Sequence, residues 1–304
     1  GELAALLASH LTGSKSAVDA TAQAVILQIR GPRIAAAILI GAALASAGAA
    51  YQNMFRNPLV SPDILGVSAG AAVGAVLGIF LSLDIIAIQV LAFVFGLGAV
   101  GLVYLTANAV RGHDPLLVLV LAGVVIGALL GACVALMKYL ADPYNQLPAI
   151  NFWLLGSLAT VNPDDVSTVA PLVLASLVPM WLLRWRVNLL SLDDEEARAL
   201  GVATGRVRLT VIAAATLMTS AAVAVSGVIG WIGLVIPHFA RMIVGPAFSR
   251  LLPASIFLGA AFLLAVDTLA RIIARIEIPL GVLTAFVGAP LFLWQLATAR
   301  RGWQ

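Results

Sequence analysis

Charged side chains are scarce in this sequence: Asp, Glu, Lys and Arg supply 10% of its 304 residues, while apolar types supply 62%. Soluble domains carry about 25% charged and 45–50% apolar residues. A water-bathed globule is therefore excluded, and the chain reads as an all-α integral membrane protein. Cysteine is nearly absent too; Cys133 stands alone, so no intrachain disulfide can form. No His or Cys recurs at metal-ligand spacing, and the chain itself needs no metal or cofactor. Linkers of low complexity are lacking, so residues 1–304 read as a single transmembrane domain. A net charge of +3 marks no nucleic-acid partner. A nucleotide-binding loop is also lacking. The nearest candidate is "TGSKS" (12–16), but a Walker A loop needs Gly directly before Lys, and Ser14 stands there. The chain is thus not its own ATPase.

What is present is a succession of apolar runs. A spanning helix needs about 20 mostly apolar residues, and nine such runs occur, near 33–52, 64–82, 85–109, 115–140, 164–183, 207–226, 228–245, 252–274 and 278–298. They are too long and too continuously apolar for a β-barrel. Pro- and Asp-rich pieces such as "RNPLVSPD", "ADPYNQLP" and "VNPDD" punctuate the gaps. Residues 1–30 hold only short apolar pieces and read as an external or interfacial stretch following a spanning segment. Arg56, Arg111, Arg184, Arg186, Arg198, Arg206, Arg208, Arg241, Arg250, Arg300 and Arg301 fall on one side. Lys15, Arg30, Arg33, Lys138, Arg271 and Arg275 fall on the other. Eleven against six of the 17 basic residues places the first side in the cytoplasm.

Glycine recurs every fourth residue at Gly66, Gly70, Gly74 and Gly78, and again at Gly123, Gly127 and Gly131. Such stripes let helices pack closely in lipid. The cytoplasmic stretch "RWRVNLLSLDDEEARALGVATGRVR" (184–208) has Asp193, Asp194, Glu195 and Glu196 where they favour a helix N-terminus. Ala197, Ala199 and Leu200 give it a small apolar face, and Gly201 reads as its stop. It is either a solvated loop or a short helix stabilised by docking on a partner. All fourteen Asp and Glu lie in or near the gaps, with Asp267 deepest and Arg271 one turn later as its expected ion-pair partner. The lack of a mid-bilayer carboxylate weighs against ion-coupled secondary transport. Arg30 and Arg33 in "QIRGPR" are either snorkelling anchors or a positive pair aimed at an external partner. The segment 138–160 offers Phe152, Trp153 and Ser157 as cavity candidates. In "PHFAR", Pro237 permits a bend, and His238 and Arg241 are placed to reach the membrane interface.

These motifs collect into a resemblance. "QIRGPRIAAAILIGAALASAGAAYQNMFRNPLVSPDILGVSAGAAVGAVLG", "SLDDEEARALGV" and "SGVIGWIGLVIPHFARMIVGP" with the block that follows it resemble, in order, the conserved segments of the FecCD/BtuC-like permeases. The resemblance implies a ten-span fold, of which the first span is not visible here. It implies the membrane subunit of an ATP-binding-cassette (ABC) importer in a prokaryotic inner membrane. Its cargo would be an iron siderophore, haem or cobalamin, with molybdate or tungstate as the alternative, moved by alternating access. It further implies a homodimer, two ATPase subunits that bind ATP and Mg, and a periplasmic or lipid-anchored substrate-binding protein. On the same grounds, Arg30, Arg33 and Arg271 would meet the binding protein. Asn57, Pro58 and Leu59, with His113 and Asp114, would form the cytoplasmic gate. The ATPase would touch the coupling helices at 188–201, above all Leu192 to Gly201: Leu192, Asp193, Asp194, Glu195, Glu196, Ala197, Arg198, Ala199, Leu200 and Gly201.

Overall fold

The computed structural model describes residues 20–110 and 115–298, and all regular structure among them is helical. A short helix α1 (Ala20–Ala24) runs through a π-helical turn (Val25–Arg30) into α2 (Gly31–Met54). The described part of the expected interfacial stretch is thus continuous with the first long helix. A 3₁₀ turn (Pro62–Leu65) leads to α3 (Val67–Phe80), followed by α4 (Ile85–Ala109), α5 (Pro115–Leu140) and the short α6 (Gln146–Leu155). Next come α7 (Pro163–Leu182), two small helices α8 (Arg184–Leu189) and α9 (Asp194–Ala199), and α10 (Thr204–Ser226). The last three are α11 (Ile232–Val244), α12 (Phe248–Ile272) and α13 (Leu280–Thr298). Among the described residues six helical stretches are long and apolar enough to cross a bilayer, and α3, α11 and the apolar part of α13 are shorter.

The two most enclosed spans, α2 and α10, form the centre, with 78% and 72% of their most apolar windows buried; α4, α5 and α7 lie outside them at 22–28%. Small residues set this arrangement. Gly41 of α2 faces Gly259 of α12 so closely that a Cβ on either would strike the other's carbonyl, and a Cβ on Gly48 would strike the carbonyl of Gly233 in α11. Lipid gives helices no hydrophobic reason to associate, so backbone proximity and dispersion must hold them. The first expected glycine stripe packs as anticipated at Gly70, Gly74 and Gly78, all against α4. The second does so only at Gly123, against Ile64; Gly127 and Gly131 face open space.

Three chain breaks converge between α6, α10 and α13. Gly156 and Gly227 both take left-handed φ, +71° and +67°, where a side chain would also strike neighbouring backbone. Ser157 N–H donates to Ser226 C=O at 2.8 Å, and Leu280 N–H donates to Gly156 C=O at 2.9 Å. Irregular backbone at membrane depth requires internal partners of this kind. At the start of α7, Asn162 and Asp165 form a reciprocal capping box around Pro163. The Asp165 carboxylate also accepts from Gln89 Nε2 at 2.9 Å, which ties α4 to α7.

Candidate functional site

The acidic stretch 193–196 does open a helix. Asp194, Glu195 and Glu196 occupy the first turn of α9, where the macrodipole favours negative charge. Gly201, at φ +81°, ends it with Gly201 N–H on Arg198 C=O and Val202 N–H on Ala197 C=O, a Schellman pattern. Ala197 is fully buried against the bundle, whereas Glu195, Glu196, Ala199 and Leu200 are exposed. The helix is clipped down by arginines from two other elements, with a third of its own beside them. Arg208 of α10 donates both Nη groups to the Asp194 carboxylate, Nη1 at 2.8 Å, and Arg198 Nη2 lies 3.6 Å away. Arg56, just past α2, donates to Asp193 at 2.7 Å, to Leu190 C=O at 3.1 Å and to Leu192 C=O, and stands 3.9 Å from Asp194. Hydrogen bonds from Arg208, then the charges of all three arginines, hold the Asp194 carboxyl below its usual pKa.

Arg56 is a non-glycine residue at φ +51°. It joins the 184–208 stretch to the segment Asn57-Pro58-Leu59. That segment is a tight turn: Asn57 N–H donates to Gln52 C=O, and Leu59 N–H donates to Asn57 Oδ1 at 2.9 Å. A cavity of about 600 Å³ lies between Asn57, Pro115, Leu117, Asp193, Asp194 and Arg208. The expected gate and coupling residues therefore share one wall. His113 and Asp114 lie outside the described residues; Pro115, which follows them, lines this cavity.

At the other end of α2, Arg33 corrects the expectation. It is 8% exposed and forks onto two carboxylates, with Nε and Nη2 on Asp267 at 2.9 and 2.7 Å and Nη1 on Glu277 at 3.0 Å. Its guanidinium is taken up inside the bundle instead of being presented outward. Arg271 reaches Asp267 through Nε at 3.4 Å, as its i+4 spacing predicts, but Arg33 is the closer partner. Arg30, on the π turn, is exposed, and Arg271 is part-exposed.

Phe152, Trp153 and Ser157 line one cavity of about 400 Å³, together with Gln89, Asn162 and Asp165. The "PHFAR" residues divide. Pro237 lies inside α11. His238 is 4% exposed and sits edge-on to Phe292 at 6.3 Å, so it is buried and does not reach the interface. Arg241 lines a polar cavity of about 460 Å³ with Gln52, Asn53 and Asn188. A separate apolar cleft of about 670 Å³ runs between α6, Val228–Trp231 and α13. Hydropathy did not single out Trp231 at its head, which holds φ +70°. The sequence signal for it was the glycine on each side, Gly230 and Gly233, in a run otherwise regular enough to be helix.

The FecCD transport family profile matches residues 3–298. The molybdate import system permease protein of Haemophilus influenzae is 42% identical over 94% of this chain and 84% of its own length. The cobalamin import system permease protein of Halobacterium salinarum is 39% identical over 96% of this chain and 78% of its own. A solved structure described as an inward-facing metal-chelate type ABC transporter superposes with a TM-score of 0.88 at 41% identity, covering 93% of this chain and 91% of that one.

Proposed function

Since the chain belongs to the FecCD transport family and is an ABC importer permease, we propose that it carries an iron chelate or a cobalamin-type cargo into a prokaryotic cytoplasm. In this reading two copies form the conduit in the inner membrane, and a substrate-binding protein delivers cargo outside. Two partner ATPase subunits bind ATP and Mg and hydrolyse the nucleotide. The exposed face of α9, with Ala199 and Leu200, is the surface those ATPases push. Arg30 and Arg271 face the binding protein. The residues of this chain supply shape and charge; no bond of the cargo is made or broken.

The observation that carries the mechanism is the arginine network around Asp193 and Asp194. It gives α9 a rigid route to Asn57-Pro58-Leu59, so a displacement of one element is a displacement of the other. Alternating access needs only that nucleotide binding favour one of two bundle arrangements over the other. Cargo divides the relatives, one named for molybdate and another for cobalamin. The aromatic and amide lining of the 400 Å³ cavity supports a bulky cargo with apolar surface. Proteoliposomes holding this permease with its ATPase and loaded binding protein test the reading. ATP-dependent uptake of a ferric chelate is expected, with none by the permease alone. Uptake of molybdate but no chelate overturns the cargo assignment. Uphill uptake without the ATPase overturns the mechanism.

A further inference from the structure

One carboxylate serves neither the arginine network nor the ion triad. Asp63 lies in the 3₁₀ turn Pro62–Leu65 and is exposed. Helices α3 and α11 have 14 and 13 residues, or ~21 and ~20 Å at 1.5 Å per residue. A hydrocarbon core is about 30 Å thick, so neither helix crosses it alone, and α3 begins only at Val67 and α11 at Ile232. These ends meet, because Pro62 packs on Gly233. Asp63, Ser61, Gly230 and Trp231 line a cavity of about 270 Å³ there, and it shares Gly230 and Trp231 with the 670 Å³ apolar cleft. Asp63 thus lies on the wall of a cavity next to the apolar cleft, with Gly230 and Trp231 between the two. Asp63 Oδ1 accepts from Ser68 Oγ. Among the described residues no Lys, Arg or His lies within ion-pair distance of Asp63. A carboxylate with no ion-pair partner, exposed on the wall of a cavity, is free to meet a cationic solute. Beside it, Trp231 is held at a φ that costs conformational energy.

We propose that Asp63 and Trp231 form a contact point for cargo in transit, selecting a chelate with an apolar body and a cationic group. Trp231 supplies a flat apolar and cation-attracting face. The Asp63 carboxylate supplies the complementary charge and repels a bare oxyanion. This rests on the importer reading above and names the cargo class within it.

The test uses the complete transporter in proteoliposomes, with the binding protein saturated in turn by two ferric trihydroxamates. One bears a free terminal ammonium, and the other is identical but N-acetylated. Wild type is expected to take up the ammonium form about tenfold faster. Asp63→Asn brings that ratio to about 1, Asp63→Glu keeps it, and ATP hydrolysis stimulated by the loaded binding protein persists in both. Asp63→Glu also shows that the site tolerates substitution without misfolding. A wild-type ratio of 1, or an Asp63→Asn ratio within twofold of wild type, overturns this inference alone. A wild-type transporter that moves molybdate and neither chelate overturns the cargo reading and this inference with it.

Discussion

Arg56→Ala is the substitution that most directly tests the link between α9 and the Asn57–Leu59 turn. It removes the bond to Asp193 at 2.7 Å, the bond to Leu190 C=O at 3.1 Å and the bond to Leu192 C=O. It leaves the Arg208–Asp194 pair in place, so α9 stays anchored to α10. The Asp193 side chain is 80% exposed and that of Arg56 35%, so solvent screens their ion pair to roughly 0.5 kcal/mol. The two charge-assisted bonds to main-chain carbonyls add about 1.5 kcal/mol together after the same discount. About 2 kcal/mol corresponds to ~30-fold in the equilibrium between linked and unlinked arrangements. In proteoliposomes, cargo moved per phosphate released should fall, by up to that factor, while ATP hydrolysis stays near wild type. Arg56→Lys, which keeps charge but loses the fork, should fall between the two. A wild-type ratio of transport to hydrolysis in Arg56→Ala would refute the reasoning, because the motion would then have to travel by another route.

Three further outcomes follow from the same geometry. Asp267→Ala leaves the buried Arg33 short of one partner and should lower unfolding stability by about 3 kcal/mol, read as a drop in Tm in detergent. Arg33→Met combined with Asp267→Leu should cost less than Asp267→Ala alone. Ala199→Asp, on the outward face of α9, should abolish co-purification of the ATPase without changing Tm; retained binding would show that the partner docks elsewhere. The depressed pKa of Asp194 makes its anchorage pH-dependent. The stabilisation is fully present above the ordinary carboxylate value near ~3.9 and is lost as pH falls through the lower folded value. Spin labels on α9 and α10 should therefore separate only in acid, and Asp194→Asn should remove that dependence.

The helices were legible because lipid imposes one composition on them, and runs of apolar residues mark them directly. The acidic opening of α9 was legible for a local reason too, since charges in the first turn and a glycine stop act within a few residues. Arg33 was misjudged because its partners Asp267 and Glu277 lie more than 230 positions away, and no spacing rule reaches so far. Its neighbour Arg30, similar in sequence, is exposed; one turn of helix separates a buried ion from a surface one. Asp63 was hidden because an apolar window running through residues 64–82 conceals a helix that starts only at Val67. That reading placed Asp63 in a gap between spans, although it belongs to a 3₁₀ turn that packs on α11. Gly127 and Gly131 continue a packing stripe on paper, yet a side chain on either would point into open space, because α5 lies at the rim of the bundle.

The junction at Gly156, Gly227 and Leu280 is stitched chiefly by main-chain hydrogen bonds, with the Ser226 hydroxyl donating to Gly227 C=O at 3.1 Å. Peptide bonds look the same whatever side chain they bear, so, the two glycines apart, the frame around the proposed solute passage depends little on the side chains that line it. Wall positions such as Phe152, Trp153 and Val228 can thus be exchanged for others without unpicking the seam. A protein built this way can be retuned to a new solute by a few substitutions while the machinery that opens and shuts it stays the same.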